Sequence, residues 1–242
     1  HQEIASQVVE ENVEYCRHYA KLLGEIAGDV SHELSLEIAR GREVLLEGSQ
    51  GFLLDVNYGT YPYVTSSNTG IHGLVVGAGI PARSVTNVVG VVKAYMTRVG
   101  EGPMPTEMEE PYQSMVREKG GEYGATTGRP RRCGWIDLVA LRYSARLNGV
   151  TSIAITKLDT LACIDEVRIC SEYEYFGARV DSFPPDATFL SKCIPRYETM
   201  KGWDEIGGIA RIEDLPDSAR RYIDRIVDAT GAKVEMISVG AE

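Results

Sequence analysis

Apolar side chains recur at helical spacing through residues 3–40: Ile4, Val8, Val9, Val13, Cys16, Tyr19, Leu22, Leu23, Ile26 and Val30, then Leu34, Leu36 and Ile38. A period near 3.6 gathers such residues into one stripe along a helix. Gly28-Asp29 interrupts the stripe, so two helices with a break at that point are predicted. The pattern then changes. Glu43–Gly48 is a short apolar run closed by glycine, which is how a strand buried in a parallel sheet reads. Similar runs lie at 85–95, 152–156, 167–173 and 233–238. Helical patterns separate several of them. In Trp135–Leu147 the apolar positions are 135, 138, 139, 141 and 145. Asp217–Thr230 puts Ala219, Tyr222, Ile223, Ile226 and Val227 on one face, with Pro216 before it and Gly231 after it as start and stop signals.

Strands alternating with helices predict an α/β fold with a mostly parallel central sheet flanked by helices. No internal repeat and no linker divides the chain. The expected organisation is a helical lead-in over 1–40 followed by one α/β region over 41–242.

Composition narrows the function. With 43% hydrophobic and 25% charged residues over 242 positions, the chain is an ordinary globular one, not a disordered or collagen-like one. A net charge of −10 excludes a non-specific nucleic-acid binder, which needs a basic surface to displace counterions. No apolar run approaches the roughly 20 residues that span a bilayer, and a cytoplasmic location is expected. Five cysteines with no CxxC pair read as reduced thiols rather than a metal site. The chain opens without Met inside a helical pattern and closes as an apolar run empties into Gly240, which reads as a piece of a longer enzyme.

Five segments are polar or glycine-rich where a strand hands over to a loop, the place where open α/β sheets bind ligands. Glu47–Gly51 offers close backbone approach and the Gln50 amide, although a plain turn reads the same way. Gly59–Thr69 carries hydroxyls and an Asn ahead of the small-residue run 73–79, as an N-cap and anion cradle at a helix start would. Gly100–Glu107 is a stiff Gly/Pro loop after Arg98. Gly124–Arg132 places Arg129, Arg131 and Arg132 beside Thr126 and Thr127. Guanidinium forks suit carboxylate and phosphate. Thr156-Lys157-Leu158-Asp159 ends a strand, and one carboxylate there can accept both donors of a guanine edge while the lysine stem lies along the base. A bare strand terminus is the competing reading of that last segment.

Together these segments resemble the adenylosuccinate synthetase family. The resemblance runs from about Val44 to the last residue and is carried by EGSQGFLLD, GTYPYVTSSNT, KAYMTRVGEGPMPTE, GATTGRPRR with the following GWID, and TKLD. It implies a P-loop-NTPase-like α/β fold, here truncated at the N-terminus. It further implies a homodimeric ligase of purine (AMP) biosynthesis that joins IMP and L-aspartate, driven by GTP, through 6-phosphoryl-IMP. By motif, Gln50 resembles the residue at the hypoxanthine edge, Thr65 a ligand of the IMP phosphate, and Arg129 the arginine between IMP and aspartate. Thr126, Thr127 and Arg131 resemble the aspartate-carboxylate site, with Arg131 also near GTP. Lys157 and Asp159 match the guanine-reading pair, and Ser238 with Gly240 a second guanine-side loop.

The departures are as specific. The family's glycine-rich phosphate loop with its general-base aspartate and lysine, its general-acid histidine and its magnesium contact have no counterpart among these residues, so Mg2+ is expected without ligands from this chain. His72 lies in a small-residue run and is no substitute for the acid. Pro130 stands where many members have Arg, and Phe52 where many have Thr. These 242 residues by themselves are therefore expected to be inactive. A purine-nucleotide-binding module without turnover is the alternative.

Overall fold

The computed structural model describes residues 2–124 and 128–240. Two helices open the chain, α1 (Gln2–Ile26) and α2 (Val30–Ala39). The break falls where predicted, because the Asp29 carboxylate caps α2 by accepting the His32 amide at 3.0 Å. Along α1 the apolar stripe is uncovered: Val8, Val9, Val13, Leu22, Leu23 and Ile26 are all exposed.

The strand expected at Glu43–Gly48 does not form. The segment has no partner strand among the described residues, and Leu45 is 91% exposed. An apolar run becomes a strand only when another strand takes its backbone groups. After α3 (Ile71–Ala78) come β1 (Val89–Lys93), β2 (Met96–Arg98), α4 (Tyr112–Gly120), β3 (Arg132–Gly134) and β4 (Ile136–Asp137). Next are α5 (Leu138–Asn148), β5 (Ser152–Thr156), β6 (Glu166–Tyr175) and β7 (Ala178–Val180), then α6 (Ala187–Leu190) and β8 (Ile194–Lys201). α7 (Asp217–Thr230) and β9 (Lys233–Ile237) close the chain.

A parallel sheet of order β1-β5-β9 carries the architecture. Its central strand β5 is buried along 152–155, which explains its unbroken apolar run. From α7, Ala219, Tyr222, Ile223 and Ile226 enter the same core as Ile153 and Ile155. The Tyr222 hydroxyl donates to the Ala94 carbonyl at 2.5 Å, just past the end of β1. Each of these buried isoleucines contributes roughly 1.5–3 kcal/mol.

The run at 167–173 belongs elsewhere. As β6 it pairs parallel with β4 and antiparallel with β7 and β8, making a second sheet. Its partner β8 reads as polar in sequence and was not expected; backbone pairing along β6 holds it. The helix expected from Trp135 starts at Leu138, since 136–137 pair as β4 and Asp137 caps the helix by accepting the Val139 and Ala140 amides. A two-stranded ribbon, β2 against β3, sets Arg98 opposite Arg132.

Candidate functional site

Parallel register puts the carboxyl ends of the three strands side by side, with Lys93 beside Thr156 and Ile155 beside Ile237. The residues that follow each strand therefore share one rim. Lys157 leaves β5 in the left-handed region at φ 62°, which turns the chain into the short helical turn 158–161. Its ammonium donates to the Gly120 carbonyl at 3.0 Å, tying the rim to the end of α4. Within that turn Asp159 Oδ1 is buried and has no hydrogen-bond partner among the described residues. From β9, the Ser238 amide extends the ladder by donating to Ile155 O at 2.8 Å, and the Ser238 hydroxyl donates to Gly240 O at 3.0 Å. Lys157 and Asp159, with Ser238 and Gly240, thus come off adjacent strands. Sequence spacing alone, some eighty positions apart, could not give that.

Residues 50–70 fold around one carboxylate. Asp55 is fully buried; Oδ1 accepts the Asn57 and Tyr58 amides at 2.9 and 3.1 Å, and Oδ2 the Thr69 and Gly70 amides at 2.7 and 3.3 Å. Burial alone raises its pKa, but those backbone donors outweigh burial and hold it below the usual carboxylate value. This clamp positions both halves of the predicted IMP side. Gln50 is exposed at φ 64° with Ser49 Oγ donating to its side-chain oxygen at 3.2 Å. Thr65 is half-buried, and its amide donates to Leu54 O at 2.8 Å.

The anion cradle expected at the start of α3 is not available. The Thr69 and Gly70 amides are taken by Asp55, and the Ile71 amide by Asn148 Oδ1 at 2.9 Å. His72 is exposed, with its ring against Tyr58.

The arginines divide between two acids. Arg132 pairs with Glu107, with Nε 2.8 Å from Oε1, and also donates to the Gly102 carbonyl at 2.8 Å. The Gly/Pro loop 100–107 is thereby wrapped onto β3. Arg98 bridges two loops, through Glu101 O at 2.8 Å on one and through Tyr63 O at 3.0 Å and Thr60 Oγ1 at 3.2 Å on the other. At Gly102 a Cβ would meet the Arg98 guanidinium at 2.3 Å, and φ is 111°, so only glycine fits. Arg131 turns the other way, donating through Nη1 to Glu122 Oε2 at 2.7 Å. Arg129 is exposed, and its carbonyl accepts the Gly124 amide at 2.8 Å. Thr126 and Thr127 lie outside the described residues.

Four groups that organise this rim were not anticipated: Asp55, Lys93, Arg98 and Glu122. Lys93 lies within the strand-like run 85–95 and the other three in segments with no regular period, and for all four only the partners reveal the role. The sole sequence signal for Glu122 is an acid two residues ahead of Gly124-Ala125-Thr126-Thr127. Among the described residues no cluster of three or more His, Cys, Asp or Glu is placed to hold a metal ion, and no helix is long and apolar enough to cross a membrane.

The sequence model of adenylosuccinate synthetase matches residues 1–242. The adenylosuccinate synthetase of Desulfosudis oleivorans is 51% identical over 224 residues, covering 92% of this chain and 52% of that protein. That of Thermodesulfovibrio yellowstonii is 48% identical over 224 residues, covering 92% of this chain and 53% of that protein. The fully ligated adenylosuccinate synthetase of Plasmodium falciparum superposes with a TM-score of 0.90 at 36% identity, over 96% of this chain and 56% of that one. The chain spans about half the length of these relatives. With the family's sequence model matching along 1–242 and the fold superposing over 96% of the chain, the chain belongs to the adenylosuccinate synthetase family.

Proposed function

We propose that this chain forms the guanine, aspartate and part of the IMP site of a cytoplasmic, homodimeric ligase that joins IMP and L-aspartate into adenylosuccinate at the expense of GTP. In the proposed sequence GTP transfers its terminal phosphoryl group to the 6-oxygen of IMP, giving GDP and 6-phosphoryl-IMP. The aspartate amine then attacks C6, and phosphate leaves with the 6-oxygen. Phosphorylation matters because it turns a poor leaving group into a good one. Gln50 is assigned to the hypoxanthine edge, where charge develops on the 6-oxygen, and Thr65 to the IMP phosphate. Arg129 is assigned between IMP and aspartate, and Thr126, Thr127 and Arg131 to the aspartate carboxylates. Arg131 also faces GTP. The Mg2+ expected for the reaction would be held by groups outside the described residues.

One observation carries the nucleotide assignment: Asp159 presents a buried carboxylate oxygen without a partner, on the same rim as Lys157 and the Ser238–Gly240 turn. A buried polar atom left unsatisfied costs about 1–3 kcal/mol, more for a charged group, so it is suited to a ligand that supplies donors. Guanine offers N1–H and N2–H2 to one carboxylate. Adenine would set a lone pair against it, and a site built to bond a group rejects an analogue lacking it by about 10⁴–10⁵.

The test uses protein of the length of its relatives, comparing kcat/KM for GTP, ATP and xanthosine triphosphate. Asp159→Asn is expected to weaken GTP about 10²-fold and to admit xanthosine triphosphate, whose 2-carbonyl an amide can serve. An unchanged preference for GTP would overturn the guanine assignment. Guanine-nucleotide binding without adenylosuccinate formation by the wild type would favour the binding module.

A further inference from the structure

Glu122 is buried, its side chain only 2% accessible, and its carboxylate gathers three donors. Oε1 accepts Lys93 Nζ and the Tyr95 hydroxyl, both at 2.6 Å. Oε2 accepts Arg131 Nη1 at 2.7 Å. The backbone repeats the link, with the Arg131 amide donating to Glu122 O at 2.9 Å and the Arg131 carbonyl accepting Arg117 Nε at 2.9 Å. Tyr123 bridges Pro130, and the Gly124 amide donates to Arg129 O at 2.8 Å. Residues 122–124 and 129–131 are thus tied to one another on either side of the segment that contains Thr126 and Thr127.

A buried carboxylate with two cations is more than packing needs. Apolar residues of similar volume commonly serve stability as well or better. What the pairing does supply is direction. Arg131 has one of its five N–H donors committed to Glu122, which leaves Nε and Nη2 without a partner among the described residues. Lys93 anchors the same carboxylate to the end of β1, so the guanidinium is referred to the sheet and not to a loop.

We propose that Glu122 is a positioning residue for aspartate. Through its second oxygen it fixes the Arg131 guanidinium so that the remaining N–H groups face the substrate carboxylate. This rests on the assignment of Arg131 proposed above. A residue acting this way changes substrate binding through Arg131 alone, whereas a merely structural acid would weaken the protein without regard to Arg131.

The experiment is a double-mutant cycle in protein of the length of its relatives, with Glu122→Gln, Arg131→Leu and both together. Glu122→Gln is expected to raise the aspartate KM about tenfold or more while kcat and the KM for IMP change less than threefold, since misdirecting a clamp costs binding first. In the Arg131→Leu background it is expected to add less than threefold. Additive effects in the cycle, or an aspartate KM unchanged in Glu122→Gln, would overturn the proposal. Glu122→Asp, which keeps the charge but withdraws it by one methylene, runs the same cycle if the Gln variant does not fold.

A second readout is independent of turnover. Modification of arginines by phenylglyoxal, mapped by mass spectrometry, is expected to run at least tenfold faster at Arg131 in Glu122→Gln and at an unchanged rate at Arg211. If the wild type makes no adenylosuccinate, the functional reading fails while this rate still decides the positioning one; equal Arg131 rates would sink it.

Discussion

Asp55→Asn offers the most direct check on how the rim is held. The substitution keeps size and shape but replaces one carboxylate oxygen by an NH2 group. In the native loop the two oxygens accept four backbone amides, the firmest being Thr69 at 2.7 Å and Asn57 at 2.9 Å. The amide can serve one pair of amides only; the other pair then faces donors. An orphaned buried donor costs about 1–3 kcal/mol. Of each pair one bond is strong and the other is longer, Tyr58 at 3.1 Å and Gly70 at 3.3 Å. The loss is therefore nearer the sum of one full and one partial penalty, about 3 kcal/mol. Residues 51–70 can open without the whole chain unfolding, so the cost is read as local opening. Amide hydrogen exchange at Asn57, Tyr58, Thr69 and Gly70 is expected to accelerate on the order of 10²-fold, since about 1.4 kcal/mol is tenfold. Exchange at Ile153 and Ile155 in β5 is expected to stay within threefold. Acceleration of less than threefold at all four loop amides would show that Asp55 does not organise the loop.

The same carboxylate sets a pH dependence. Its folded pKa lies below the unfolded one because backbone donors outweigh burial, so its stabilisation is complete above about pH 4 and is lost as pH falls through the folded value. Acid titration followed by exchange of the 51–70 amides is expected to show an extra loss of protection below about pH 4 in the wild type that is missing in Asp55→Asn; superimposable acid limbs would contradict this. Gly202→Ala probes the support beneath the 158–161 turn. Its Cβ would lie 1.7 Å from the Ile164 carbonyl oxygen, next to Trp203, whose indole N–H donates to Leu158 O at 3.3 Å. Backbone must move to admit it, at a cost of about 3 kcal/mol. Thermal unfolding is expected about 6–12 °C lower, and a fall of under 2 °C would refute the packing argument.

Local pattern alone determined the elements whose hydrogen bonds or burial are decided within a short window. Gly28-Asp29 marked the break between the first two helices, Pro216 a helix start, and Gly231 a helix stop in the left-handed region, because such signals depend on a few neighbouring residues. The unbroken apolar run of β5 announced a strand covered on both faces. The EGSQG, GATTG and TKLD segments announced the family because their residue order is itself the signal. Tertiary structure decided the rest. Glu43–Gly48 has a strand's composition and no strand to pair with, while β8 has little of that composition and pairs along β6. The helix-start amides before α3 looked open to an anion, yet Asp55 and Asn148, the latter 77 positions away from Ile71, had claimed them. The acids Asp55 and Glu122 carry no periodicity, since a buried charge is permitted only by the donors around it, and those donors come from distant parts of the chain.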